Sequence, residues 1–306
     1  CRRMLRSRCA APRAASVPSV TGRLRRRGAW LLAVVALGGA LLGCRTLLPA
    51  SAHPDFASGK PHHRPDGFAN RYLARAEKEP ERREPMRIDA VLISHNHYDH
   101  LDQGTVQRLM DTQPGIRFFV PLGVQHWFFE NVRGTVLTGP ARNVIALDWD
   151  DTFTLRGATG EATLMFLAVQ HWSARTLNDR YRTLWGSWAV LHPDFRFWFS
   201  GDLGYSKDTQ DVGEKLGHLD LAAIAIGAYE PRWFMRESHL NPAEAVQVMK
   251  DVRADHALAI HWGTFEGLTD EPLDQPPRDL EAALRAEPVR PDFRVLRHGQ
   301  RWAVAP

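Results

Sequence analysis

The sequence predicts an α/β fold. From Ile88 to the C-terminus, apolar runs of β-type residues alternate with segments of helical period. The residues that bear chemistry stand directly after such runs, where loops build sites on a rigid sheet. The 306 residues suffice for one large domain or two small ones, and 44% hydrophobic with 24% charged residues is an ordinary globular balance. No internal repeat is present.

The first 43 residues stand apart. "RLRRRG" and "AWLLAVVALGGALL" have the charged and apolar regions of a secretory signal, too short and too rich in small residues for a membrane span. The segment ends in "LLGC", which resembles a bacterial lipobox. That resemblance implies cleavage before Cys44 and a diacylglyceryl anchor on it; an uncleaved anchor helix is the alternative. Arg45 after the cysteine, where an aspartate would favour inner-membrane retention, points to the outer membrane. The expected location is the bacterial cell envelope, with the chain facing the periplasm and tethered to a membrane surface. The chain opens on Cys1, so its start is expected at Met4 or upstream.

Residues 1–43 also hold nine arginines and no acid, and without them the net charge falls from +4 to −5. The basic balance belongs to this leader, which argues against a nucleic-acid partner. Of the three cysteines, Cys1, Cys9 and Cys44, only Cys44 would remain after cleavage. A disulfide framework or a cysteine zinc site is thereby excluded, so a metal would need histidine and carboxylate.

Residues 44–87 read as a lipidated N-terminus and polar linker: "KPHHRPDGFANRY" is turn-prone and "RAEKEPERREP" is a solvated charge run. The third region, 88–306, carries the fold. Strands are predicted at 88–94, 116–121, 143–149, 151–156, 162–170, 187–192, 196–201, 219–227, 256–262, 293–298 and 301–305. Helices are predicted at 103–111, 124–132, 208–217, 241–254 and 279–287. The helix at 241–254 has the strongest start signal, with Asn241 as cap, Pro242 in the first turn and Glu244 at the positive end. Most aromatics in "HWFFENV" and "YEPRWFM" are expected in the core, with some lining an acyl groove or a membrane interface.

"ISHNHYDH" places His95, His97, Asp99 and His100 within one loop after the strand "AVLI". Histidines two apart can converge on one metal, and the Asp99–His100 pair faces a neighbouring position. Imidazole suits zinc, and a carboxylate compensates charge. One loop cannot complete two tetrahedral shells, so further ligands are expected at later strand ends. His171 follows "LMFLAVQ", Asp202 follows "FWFSG", and His261 ends "ALAIH". Each alone is an ordinary strand-end residue; the seven together point to a metal centre.

"HNHYDH", the strand-end His171, "SGDLGY" and "IHWGTF" together resemble the metallo-β-lactamase superfamily. "LWGSWAVL", "AAIAIGAYEPRWFM" and "IHWGTFEGLTDEPLDQPP" look like its branch of bacterial N-acylphosphatidylethanolamine-hydrolysing phospholipases D, and "KPHHRPDGF" also fits that branch. The resemblance implies an αββα sandwich and a site for two Zn2+ per chain. His95, His97 and His171 would hold the first zinc, Asp99, His100 and His261 the second, and Asp202 would bridge them. It implies a zinc-dependent phosphodiesterase whose substrate is a phospholipid and whose products are phosphatidic acid and an N-acylethanolamine. Zinc brings the pKa of water towards neutrality, so no separate strong base is needed. Two positions beside the ligands are weighed as catalytic together with Asp99. Tyr98 could touch substrate or merely pack. His239 could donate to a phosphoryl oxygen or leaving group, or serve the start of the helix at 241–254. Where the branch carries glutamine before that histidine, this chain has Ser238.

The sequence departs from the family at one place. Between His53 and Ile88 it offers no counterpart of the opening strands, so a first sheet shortened at its N-terminal side is expected, with a new edge. Two other functions are carried beside the leading one. One is a lactonase or other metal-dependent hydrolase of the superfamily; the other is a metal-binding lipoprotein inactivated by the shortening.

Overall fold

The computed structural model describes residues 87–157, 160–265, 267–296 and 300–304. The leader, Cys44 and the linker to residue 86 lie outside these residues, as does the place where opening strands would stand.

Two sheets form, each from the runs that the alternation marks. The first is parallel, in the order β1 (Ala90–Leu92), β2 (Arg117–Pro121), β3 (Val144–Leu147). Helices α1 (Gln103–Thr112) and α2 (Val124–Asn131) make its crossovers. Asp102 caps α1 by accepting from the Thr105 amide at 2.7 Å. The second sheet has seven strands. β4 (Thr152–Gly157), β5 (Gly160–Leu167), β6 (Ser187–His192) and β7 (Phe195–Phe199) run as an antiparallel meander. β8 (Leu219–Ala225), β9 (Ala254–Ile260) and β10 (Asp292–Arg294) extend it in parallel. Strands β5, β7, β8 and β9 therefore all run the same way, and their C-terminal ends share one edge.

The period-2 alternation of strand side chains separates three cores. Phe118 and Val120 of β2 face α1 and α2, packing with Val106, Val124 and Phe128. Phe119 points the other way, into a layer shared with Ile145, Leu147, Leu164, Phe166 and Trp188 between the two sheets. Beyond the second sheet, Leu167, Trp198, Ala222 and Ile224 meet α3 (Asp208–Leu216), α5 (Pro242–Asp251) and α6 (Gln275–Ala286). Helix, sheet, sheet, helix is the expected αββα sandwich. Each fully buried Phe or Leu contributes roughly 1.5–3 kcal/mol through the water it leaves.

Most predicted elements form, and the deviations have physical causes. The strand expected over 88–94 keeps only Ala90–Leu92 in register, because Ile93 and Ser94 turn towards the second sheet: the Trp188 indole donates to Ile93 O at 2.8 Å and the Gly186 amide to Ser94 O at 2.9 Å. The helix expected over 241–254 ends at Asp251, since Arg253 takes a left-handed φ of 57° that stops it. The helix expected over 279–287 begins earlier, at Gln275, because Pro276 is admissible in a first turn. No strand forms over 300–304, contrary to the strand expected at 301–305. The edge strand β10 is only three residues long and offers a short ladder, and Trp302 docks by its ring against His256 and under Arg294 instead. Within the aromatic clusters, Phe128 and Tyr229 are buried, but Phe129, Trp233 and Phe234 are exposed. The last two sit on α4 (Arg232–Met235), a single turn too short to bury both faces. Among the described residues no helix is long and apolar enough to cross a membrane.

Candidate metal centre

The seven expected ligands converge from both sheets. His95, His97, Asp99 and His100 lie on the loop after β1. His171 follows β5, Asp202 follows β7, and His261 directly follows β9. Their side chains form two groups, each with ligand atoms within 4.8 Å of one another: His95, His97, His171 and Asp202, and Asp99, His100, His261 and Asp202. Asp202 belongs to both.

In the first group His95 Nε2 lies 2.9 Å from His97 Nδ1, which lies 3.4 Å from His171 Nε2. Asp202 Oδ2 is 3.8 Å from both His95 Nε2 and His171 Nε2. In the second, His100 Nε2 is 3.3 Å from Asp99 Oδ2 and 3.1 Å from Asp202 Oδ2. His261 Nε2 is 3.3 Å from Asp99 Oδ2 and 3.2 Å from Asp202 Oδ1.

The donor set fits a metal. Three imidazole nitrogens facing one point exceed what shared protons can satisfy. His100 Nε2 and Asp202 Oδ1 are buried without a well-aligned hydrogen-bond partner, and buried polar atoms rarely go unpaired. Nitrogen and carboxylate oxygen, without sulfur, suit zinc and its neighbours among the divalent metals.

Outer contacts fix which nitrogen faces inward. His171 Nδ1–H donates to Ser238 O at 2.9 Å, which fixes its tautomer, and His95 Nδ1 is hydrogen-bonded with Ser94 Oγ at 3.0 Å, which fixes its ring orientation. Both leave Nε2 for the centre. Close packing holds the backbone around these ligands. A Cβ on Gly201, whose φ is +61°, would stand 2.7 Å from Ser94 Cβ, just where Asp202 is set between the sheets. A Cβ on Gly227 would stand 2.3 Å from His261 O, and His261 itself has a left-handed φ of 56°. Such strain in a non-glycine residue persists only where its surroundings hold it.

Charge divides the cluster. Burial depresses the imidazole pKa of His95, which neighbouring His100 and His171 lower further, and burial takes His171 down to about 3. Burial also acts against charge on His100, but the Asp202 and Asp99 carboxylates outweigh it and push His100 up to about 10. His261 is raised in the same way. Asp202 and Asp99 are held below the carboxylate range despite burial, because the surrounding histidines outweigh it.

His239 and Tyr98 fall differently. The Asn241 side chain, not His239, caps α5. His239 turns inward, with Nδ1 3.9 Å from Asp202 Oδ2 and its ring stacked 5.7 Å from His261. Burial lowers its pKa to about 4, so it is neutral near pH 7. Tyr98 is 67% exposed and its ring packs under the Arg175 guanidinium at 4.1 Å. Ser94, Trp172, Arg175 and Ser238 also build the site and were not anticipated as site residues. Trp172 packs on His97 at 4.2 Å, and its position straight after His171 was the one available signal.

The family described as "Beta-lactamase superfamily domain" matches residues 64–262. The chain belongs to the metallo-β-lactamase superfamily. Among its relatives, the N-acyl-phosphatidylethanolamine-hydrolyzing phospholipase D 1 of Caenorhabditis elegans is 40% identical over 223 residues, covering 71% of this chain and 61% of the worm protein. The mitochondrial N-acyl-phosphatidylethanolamine-hydrolyzing phospholipase D of Saccharomyces cerevisiae is 32% identical over 196 residues, covering 63% of this chain and 40% of its own length. The chain thus spans less than two thirds of the length of either relative. Igni18, a metallo hydrolase from Ignicoccus hospitalis, shares the metallo-β-lactamase fold with a TM-score of 0.53 at 18% identity, over 72% of this chain and 82% of its own.

Proposed function

We propose that this chain is a zinc-dependent phosphodiesterase with two metals, cleaving N-acylphosphatidylethanolamine-like phospholipids into phosphatidic acid and an N-acylethanolamine. The observation that carries the reading is the membership of Asp202 in both ligand groups, which supports two metal positions side by side. The names of the worm and yeast relatives support the substrate class.

His95, His97 and His171 would hold one zinc, Asp99, His100 and His261 the other, with Asp202 between. Bound there, the pair would supply an acidified water for attack on phosphorus and positive charge for the phosphoryl oxygens. The chain's own residues prepare the rest. The Ser238 carbonyl keeps His171 in the required tautomer, and Ser94 orients the ring of His95 with Nε2 inward. Asp99 and Asp202 stay ionised, so they bring negative charge to the cations. His239, neutral and beside Asp202, can donate an N–H to a phosphoryl oxygen or to the departing amide-bearing alcohol.

The test is direct. Zinc-loaded protein should carry about two zincs per chain and release N-acylethanolamine from its phospholipid, assayed beside a lactone. Loaded protein that cleaves no phosphodiester, or that opens only the lactone, ends the proposal.

A further inference from the structure

The ligand loop after β1 is tied down unevenly. At its start, Ile93 and Ser94 are bonded to both sheets: the Ile93 amide donates to Phe119 O at 2.9 Å, Ile93 O accepts from Trp188, and Ser94 O accepts from Gly186. Position 95 inherits that rigidity. Beyond it, residues 96–101 leave the sheets, and Asp99 and His100 sit near the far end.

One side chain closes this stretch. Arg175 Nη1 donates to Asn96 O at 2.9 Å and to Leu101 O at 2.8 Å, the two ends of the segment that contains His97, Asp99 and His100. Its guanidinium also lies over the rings of Tyr98 at 4.1 Å and Trp127 of α2 at 4.8 Å. Arg175 itself belongs to the other half of the molecule, four residues after His171 on the loop following β5. Its backbone is fixed there by Asp179, whose carboxylate accepts from the Arg175 amide at 3.0 Å and the Thr176 amide at 2.8 Å. The loop is stapled again where Ser173 Oγ donates to Thr183 O at 2.6 Å.

We infer that Arg175 is a positioning residue for the metal site formed by Asp99, His100 and His261: by holding the carbonyls of Asn96 and Leu101, it fixes the far end of the ligand loop against the His171 loop. The inference rests on the metal-binding reading above and is independent of the substrate. Without Arg175, two carbonyls lose their donor and Tyr98 loses its cover, while His95 keeps its own anchors and His97, although in the same segment, keeps its ring packed against His171 and Trp172. The loss therefore falls on the Asp99–His100 position.

The experiment reads metal affinity, with full-length protein loaded with zinc and titrated with a competing chelator. Arg175→Met should weaken one of the two zincs about 10–100-fold, the range for contacts that orient ligands, and leave the other near wild type. Arg175→Lys, which keeps a cationic donor, should recover part of the loss. Far-UV circular dichroism follows folding. If Arg175→Met does not fold, Asp179→Ala loosens the turn under Arg175 and should give the same selective loss with a smaller factor. Wild-type affinities for both zincs in Arg175→Met, or equal weakening of both, overturn the inference; so do wild-type affinities in Asp179→Ala if that variant has to stand in. Because hydrolysis is not read, protein that binds metal but cleaves no phosphodiester sinks the substrate proposal alone.

Discussion

At the scale of single residues, the cluster separates those that must stay charged from those that must stay neutral. His239 is of the second kind: buried, taken down to about 4, and close to Asp202 without bonding to it. His239→Ala is therefore expected to lower kcat by about 100-fold, the lower end for losing one hydrogen-bond donor to developing charge, with zinc content unchanged. A fall in zinc content to match would make His239 a ligand instead. The grouping of the seven candidate ligands was legible in the sequence because each ends or closely follows an apolar strand and is a type that metals prefer. Arg175 was not legible. Its partners are two main-chain carbonyls 74 and 79 positions away, and no spacing rule announces a side chain that bonds to backbone.

At the scale of elements, the helix after the His239 loop shows what a local signal is worth. Asn241 Oδ1 accepts from the Glu244 amide at 2.8 Å, and Glu244 returns the bond to the Asn241 amide at 2.9 Å, completing a capping box. Glu244 also meets both sides of a contact with Arg232 on α4, at 2.8 and 2.9 Å, so the cap and the short helix beside the site share one carboxylate. Asn241→Ala should cost about 1 kcal/mol of stability, read as a lower denaturant midpoint with an unchanged slope. An unaltered midpoint would show that the cap is redundant with the Arg232 contact. The cap could be read from "NPAE" because it is local. The single turn at Arg232–Met235 could not, since one turn has no period, and "RWAVA" misled because alternation signals a strand whether or not the edge strand beside it is long enough to pair.

For the whole molecule, the metal site joins two sheets that otherwise meet through the layer around Phe119, Phe166 and Trp188. A ligand that binds only the folded state adds stability by mass action, about 4 kcal/mol at a thousandfold excess over its Kd. Chelation should then lower the melting temperature of the chain by several degrees; an unchanged melt would mean that the halves hold without the metal. The pH dependence has a fixed sign. In the metal-free chain His100 is pushed up to about 10, so it carries a proton near pH 7 that a metal must displace, and the raised pKa of His261 acts in the same direction. Zinc uptake at pH 7 should release protons, measured as a buffer-dependent heat in calorimetry, and affinity should fall as pH drops from 8 to 6. Uptake with no proton release would contradict the assignment of these two histidines. The αββα layering itself was legible from the alternation and the family resemblance together; the pairing of individual strands appears in neither.

The bond from His171 to the main chain at position 238 has a consequence for how the protein can change. The acceptor is a carbonyl, which every amino acid supplies, so the tautomer of His171 does not depend on which side chain stands at 238. Serine occupies a place where the related branch has glutamine, and the metal centre is indifferent to the exchange. Position 238 is thus a point of mutational latitude: its side chain can be exchanged while the bond that orients His171 is kept.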